Sequence, residues 1–386
     1  MLSDTDVKSM SRLIQAARGD RPADLRLCNA RLVSVYLGAV EPKDIVIADG
    51  MIVGFGDCPA RENIDLRGSF VAPGFIDSHV HLESAMLAPS EFARAVLPCG
   101  TTTVVADPHE IANVLGTVGI DYMLQATENL PLGVRFSLPS CVPASSLETT
   151  GAALDAGDMG PYLGHPRVVA LAEMMDFHGV IHQDAKVLAK IEAARKAGKR
   201  LDGHAPGLSG RMLHAYIVSG IGSDHECTTI AEAREKMAAG MVIMVRQGSA
   251  ARNLDALAPL ADRFTSRRMM WCSDDCHPND LLARGHIDNL VRRAIAGGMD
   301  PMVAIQMATL NPAEYFRLDH LGGIAPGKRA DLVIFDDLHR PVVRQVYAAG
   351  ICGARPLSYR EITRIAVGVK SDGLSNAFQF VFKWYR

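Results

Sequence analysis

The sequence predicts an α/β fold: a (β/α)8 barrel of the TIM type with a small composite β-domain formed from the N-terminal and C-terminal flanks. Three observations point there. Eight strand-like runs alternate with helical stretches through the middle of the chain, polar residues collect at the C-terminal ends of most of these runs, and β-rich pieces lie near both ends. Repeated β-then-α units favour a barrel over a doubly wound sheet, and such barrels place their chemistry at the C-terminal strand ends.

The first seventy residues read as a short helix followed by strands. Residues 5–18 carry Val7, Met10, Leu13, Ile14 and Ala17 at helical intervals and stop at Gly19. Strand-like runs follow at 25–28, 31–36, 44–47 and 51–55, with Asp49-Gly50 as a hairpin signal between the last two. A matching patch returns at 331–335 and 342–348, which suggests one β-domain shared by the two flanks. Between them the eight expected strands are 69–81, 102–107, 134–142, 168–176, 200–204, 220–225, 241–246 and 268–274, with helical spacing in segments such as 186–196 and 230–239. The expected division is residues 1–70 for the helix and first part of the β-domain, 71–315 for the barrel, 316–355 for the second part of the β-domain and 356–386 without an assignable pattern.

Composition narrows the class. At 386 residues the chain exceeds the ~250–300 at which one core usually stops growing. It is 48% hydrophobic and 22% charged, which excludes a disordered or collagenous chain. Forty Lys and Arg against 43 Asp and Glu leave a net charge of −3, so nucleic acid is not the expected partner. No run approaches the ~18 apolar residues of a membrane span; the run at 241–245 has core-strand length. The start MLSDTDVKSM places Asp and Lys where a signal peptide needs an apolar core. Eight cysteines without scaffold or metal-ribbon spacing fit a reducing compartment, so a cytoplasmic protein is expected.

Thirteen histidines are the unusual count, and their positions carry the argument. His79-Val80-His81 ends the first barrel strand, where side chains two apart share a face. One HxH alone is weak, and two histidines hydrogen-bonded at a barrel rim would read the same. Strand four, however, ends with Glu173 inside an apolar run, and a buried carboxylate is costly unless it is paired or binds a metal. Strand five ends at His204, strand six at His225 and strand eight at Asp274. Four histidines and two carboxylates at one rim make coincidence a poor account. Two divalent ions would fit: His79, His81 and Asp274 on one, His204 and His225 on the other, and Glu173 bridging them. Nitrogen and oxygen ligands exclude iron–sulfur clusters and leave Zn²⁺, Mn²⁺ or Fe²⁺. A water between two such ions becomes hydroxide near neutral pH, a nucleophile for hydrolysis.

These residues resemble the amidohydrolase superfamily and, within it, the adenine deaminases. The similarity runs from the N-terminal helix to about residue 351 through VAPGFIDSHVHLESAM (71–86), GTTTVVADPHEIANVLG (100–116), LAEMMDFHGVI (171–181), LDGHAPGLSG (201–210), MVRQGSAARNL (244–254), CSDDCHP (272–278) and LGGIAPGKRADLVIF (321–335). HxH and the late PGKxADLV hairpin mark the superfamily; DPHE, LAEMMD and DGHAPG narrow it. Many superfamily members bridge their metals with a carboxylated Lys, whereas here Glu173 takes that position, as in adenine deaminases. The resemblance implies hydrolysis of adenine to hypoxanthine and ammonia by a metal-bridged hydroxide, with manganese the expected metal (iron or zinc the alternatives), and a homodimer. Asp274 would accept the hydroxide proton and pass it to the leaving amine. The HxE…PCxxC pattern of the single-zinc base deaminases is missing.

The same motifs place Glu83, Asp107, His109 and Glu110 where a purine would sit, although Asp107-Pro108-His109-Glu110 reads equally well as a helix start. Glu226 is expected to orient His225, and Arg246 and Gln247 to contact the base, with a rim salt bridge the alternative for the arginine. Strand alternation puts Met270, Cys272 and Asp274 on the barrel side and Trp271, Ser273 and Asp275 on the other, so Asp275 is expected behind the ligands or as a helix cap. His178 and His182 read as surface residues, and Cys272 and Cys276 as core. Relatives of this kind normally continue through a further C-terminal region that this chain does not match. The rival readings are another binuclear amidohydrolase acting on a cyclic amide or N-acyl substrate, and a non-catalytic assembly protein of the same fold.

Overall fold

The computed structural model describes residues 4–145 and 147–354; the expected tail at 356–386 lies outside them. Eight short parallel strands carry the centre of the chain: β1 (Phe75–Val80), β2 (Thr101–Ala106), β3 (Gly133–Leu138), β4 (Val168–Met174), β5 (Arg200–Gly203), β6 (Ser223–Asp224), β7 (Val242–Arg246) and β8 (Met269–Cys272). They form a five-stranded sheet ordered β5-β4-β3-β2-β1 and a three-stranded sheet ordered β6-β7-β8. Hydrogen bonds also run between the sheets: Asp274 N–H donates to the His79 carbonyl at 3.0 Å, and Gly222 N–H to that of Leu201 at 2.9 Å.

Both sheets turn one face to a shared interior. Ile76, Val105 and Ala170 from the first pack with Val242, Met244, Met270 and Cys272 from the second, together with Phe316, Leu318 and Leu321. Helices cover the opposite faces. Trp271 packs outward against the helix Pro301–Ala308, with its indole N–H on the Ala304 carbonyl at 2.9 Å. The expected alternation therefore holds for Met270, Trp271 and Cys272.

The flanks build two further sheets. Ala23–Cys28, Ile45–Ala48, Met51–Phe55 and Ala60–Asp65 form one of four strands; Arg31–Ser34, Ala39–Pro42, Phe70–Pro73, Leu332–Phe335, Gln345–Ala348 and Ile351–Ala354 form one of six. The six-stranded sheet thus mixes strands from both ends of the sequence. Asp49 and Gly50 have φ of 48° and 74°, the paired positive values of a tight hairpin turn, as their sequence predicts. Ala39–Pro42 and Ala60–Asp65 are edge strands with mostly polar or half-exposed residues, so neither shows an alternating pattern.

Three expectations change. The run at 69–81 is two strands, not one. Phe70–Pro73 pairs with Leu332–Phe335, and β1 starts after Gly74, where a Cβ would lie 2.2 Å from Thr102 Oγ1. Apolar residues on both sides of that glycine hide the break. The strand expected at 220–225 shortens to the two residues of β6. The helix Asp4–Arg18 forms, yet Val7, Met10 and Ile14 are about half exposed, and Ala16 is its buried residue.

Candidate metal centre

β1 and the residue after it deliver His79 and His81 to one face because residues two apart on a strand point the same way. The two imidazoles meet with Nε2 atoms 3.0 Å apart. His81 Nδ1 lies 3.0 Å from the Asp107 carbonyl. A carbonyl only accepts, so Nδ1 carries a proton, and Nε2 is the atom that faces the cluster and would give its lone pair to a cation on losing its own proton. Asp77, which the sequence does not single out, is fully buried on the opposite side of the strand, past an irregularity between Asp77 and Val80. It accepts the Ser273 N–H at 3.0 Å and the Ser273 hydroxyl, and so ties the end of β8 to β1 directly beside Asp274.

Glu173 near the end of β4 occupies the middle of the cluster. Its Oε1 stands 3.6 Å from His79 Nε2 and 3.3 Å from His81 Nε2, while Oε2 touches His204 Nδ1 and lies 3.3 Å from His225 Nε2. The carboxylate is therefore divided between two histidine pairs. Asp274 Oδ1 completes the first pair, 3.5 Å from His79 and 3.3 Å from His81. All six residues expected to bind metal come together, and all but His204 are buried. Their donor atoms fall into overlapping groups, among them His79, His81 and Asp274; His79, Glu173 and His225; and His204, His225 and Glu226.

The electrostatics match a cation site. Burial opposes charge on His79, yet the carboxylates of Asp274 and Glu173 outweigh it and push the imidazole up to about 10. His81 is raised well above its ordinary value against the same burial and by the same acids. Burial would raise Glu173 and Asp274, but the surrounding histidines hold both well below the usual carboxylate range. A field that holds protons this tightly favours any cation of matching coordination. Imidazole nitrogens and carboxylate oxygens, with no thiolate, suit Zn²⁺, Mn²⁺ or Fe²⁺. Cys272 and Cys276 are buried, as expected of core residues, and burial pushes both thiols up, Cys276 to about 12.

The other expected residues divide. Asp107 and His109 are linked at 3.0 Å, and His109 Nδ1 is 3.5 Å from Glu173 Oε1, so both stand at the cluster itself. Glu83 Oε1 accepts the Ile111 N–H at 3.2 Å. Glu83 Oε2, Asp107 Oδ1, Glu110 Oε2 and Gln247 Oε1 are buried acceptors without a hydrogen bond among the described residues, although Glu110 Oε2 lies 3.6 Å from His81 Nδ1. Burial first, then the Glu110 carboxylate, pushes Glu83 up to about 7. Glu226 reaches both His204 and His225, at 3.6 and 3.4 Å. Arg246 takes the salt-bridge alternative: its guanidinium grips Glu226 and lies 3.0 Å from Asp274 Oδ2. Asp275 corrects the strand-eight reading. Ser273 still points outward to Asp77 and Asp274 inward to the histidines, but Asp274 has φ of 57°, which ends the alternation there and brings the Asp275 carboxylate into one group with His81 and Glu110. His178 and His182 are exposed, as expected.

Residues 70–370 match the amidohydrolase family. The chain belongs to the amidohydrolase family. It is 53% identical over 340 residues to an adenine deaminase of Desulfatibacillum aliphaticivorans, covering 88% of this chain and 60% of that protein. It is 51% identical over 339 residues to an adenine deaminase of Methanothrix thermoacetophila, covering 88% and 59%. The chain thus spans about 60% of the length of the curated relatives it matches. Among solved amidohydrolase-like structures, a β-aspartyl dipeptidase of Fervidobacterium islandicum AW-1 superposes with a TM-score of 0.64 at 17% identity, covering 87% of this chain and 99% of that one. An adenine deaminase superposes at 0.62 and 18% identity, covering 85% and 98%. These two likenesses speak to the fold. Among the described residues no helix is long and apolar enough to cross a membrane.

Proposed function

We propose that this amidohydrolase removes the amino group of adenine, giving hypoxanthine and ammonia in a cytoplasmic homodimer. The observation that carries the reading is the divided carboxylate of Glu173, one oxygen on each histidine pair, in a chain about half identical to adenine deaminases. The two parallel sheets are read as arcs of one (β/α)8 barrel, because hydrogen bonds cross both seams. The flanking sheets are read as one composite β-domain, with residues 1–70 and 316–355 as its two contributions and 71–315 as the barrel.

His79, His81 and Asp274 would hold one divalent cation and His204 and His225 a second, with Glu173 shared; Mn²⁺ is the first choice and Fe²⁺ or Zn²⁺ the alternatives. Such cations, when bound, supply Lewis acidity and lower the pKa of the hydrolytic water. Asp274 takes up the proton that the attacking water loses and delivers it to the departing amine. Glu83, Asp107, Glu110 and Gln247 offer acceptors that make no hydrogen bond within the described residues to the N–H groups of an aminopurine, and His109 and Asp275 flank them. Arg246 holds Asp274 rather than the base, and Glu226 anchors Arg246 and orients His225.

The test is turnover by the purified chain loaded with Mn²⁺, Fe²⁺ or Zn²⁺, read as ammonia release from adenine and adenosine and as ring opening to the carbamoyl amino acid, followed by chromatography, for a hydantoin and dihydroorotate. Turnover of adenine above the other three is expected. Turnover of a cyclic amide in its place would assign another binuclear amidohydrolase. Fewer than one tightly bound ion per chain and no turnover would make it a non-catalytic member of the family.

A further inference from the structure

Lys236, in the helix Ile230–Ala238, is completely buried, which is rare for lysine unless it is paired. Its ammonium donates to Asp224 Oδ2 at 2.8 Å, to Glu232 Oε1 at 2.7 Å and to the Ala205 carbonyl at 2.6 Å. Asp224 is equally buried, and its Oδ1 accepts the Ala205 N–H at 2.9 Å. Both backbone groups of residue 205 are therefore tied to one ion pair. Ala205 directly follows His204, and Asp224 directly precedes His225.

We propose that the Lys236–Asp224 pair is a positioning device that sets the separation of His204 and His225, and so governs the second of the two cations. This inference rests on the two-cation reading of the site. The strands themselves supply little constraint there: β5 ends at Gly203, one residue before His204, and β6 is two residues long. His204 is also the most exposed of the six expected ligands, with a quarter of its side chain accessible. The other half of the site is fixed differently, by the β1–β2 ladder and by Asp77 bonded to Ser273. Replacing a buried ion pair by neutral groups of similar size is often without penalty to folding. A pair kept at this place is better explained by what it aligns. Because separate devices hold the two halves, loss of this pair is felt by one cation and not the other.

The test is an equilibrium Mn²⁺ titration of the full chain after chelation, in wild type, Lys236→Met and the double variant Lys236→Met with Asp224→Asn. The double variant removes the Asp224 charge together with its partner, and Glu232 keeps the Gly207 and Thr228 N–H groups, so it remains informative if the single variant fails to fold. Wild type is expected to bind two ions. The double variant is expected to bind the first unchanged and the second about 10–100-fold more weakly, the usual effect of removing a group behind a ligand. Thermal unfolding of the metal-free proteins separates alignment from general destabilisation and should show similar midpoints. Two ions bound as in wild type, or both weakened equally, would overturn the proposal. A wild type that binds fewer than two ions would overturn the two-cation reading itself, and the proposal with it.

Discussion

Arg246 Nη1 lies 3.0 Å from Asp274 Oδ2, and the same guanidinium grips Glu226. It is an arginine committed to two acids beside the site. Removing it leaves two largely buried carboxylates facing each other without their cation, an arrangement that pushes one of them out of place. Arg246→Met is expected to lower kcat about 10–100-fold with a smaller change in KM, and Arg246→Lys to recover part of the loss. Steady-state kinetics on adenine decides it: a large rise in KM with kcat intact would return Arg246 to the substrate.

Glu173 faces all four expected ligand histidines. Glu173→Ala is expected to lose metal as well as rate, because one side chain serves both halves of the site. Activity should also be indifferent to removal of CO₂ or bicarbonate, since no lysine needs carboxylation. Elemental analysis of the variant, and an assay in degassed buffer, check the two parts. Two tightly held ions in Glu173→Ala would remove the bridging role.

That role is legible in the sequence for an energetic reason: an acid among Leu171, Ala172 and Met174 is unstable without partners, so its partners can be sought. His79, His81, His204 and His225 are legible because strand ends in such a fold converge. Arg246 is not. Its acids come from Glu226 and Asp274, and pairings 20 and 28 residues apart depend on which strand ends adjoin. Lys236 is hidden differently, since with Glu232 it reads as an ordinary surface pair at helical spacing. The split at Gly74 is hidden because apolar residues flank it on both sides, and hydropathy reports burial, not which sheet does the burying.

The buried Glu83 gives a pH signature. Its carboxyl is pushed from 4.5 up to about 7, by burial and then by Glu110. A carboxyl that binds its proton more tightly when folded stabilises the fold below its unfolded pKa, and that stability is lost as pH rises through about 7. Glu83→Gln cannot ionise and keeps an oxygen for the Ile111 N–H. The metal-free variant is therefore expected to unfold at a higher temperature than wild type at pH 8, with the difference closing below pH ~4.5. Thermal scans at both pH values measure it, and a gap that does not change with pH would contradict the raised carboxyl.

Asp274 and Asp275 are neighbours with different expected roles, and the backbone makes the comparison clean. Asp274 is 6% exposed and sits at φ of 57°, a left-handed conformation that Asp and Asn tolerate and most other residues do not. Asp274→Asn thus removes the charge without adding backbone strain, whereas Asp274→Ala would confuse the two. Its Oδ1 faces His79 and His81, the place from which, under the proposed deamination, it would carry a proton from water to the leaving amine. Asn cannot carry that proton, and kcat should fall roughly 10²–10⁴-fold. Metal content must be measured in parallel, because loss of a charged ligand deepens the effect. Asp275 groups with His81 and Glu110 on the flank of the cluster, so Asp275→Asn is expected to be milder and to act more on KM. If Asp275→Asn abolishes turnover while Asp274→Asn stays near wild type, the proton carrier is Asp275 and the left-handed turn serves to deliver it.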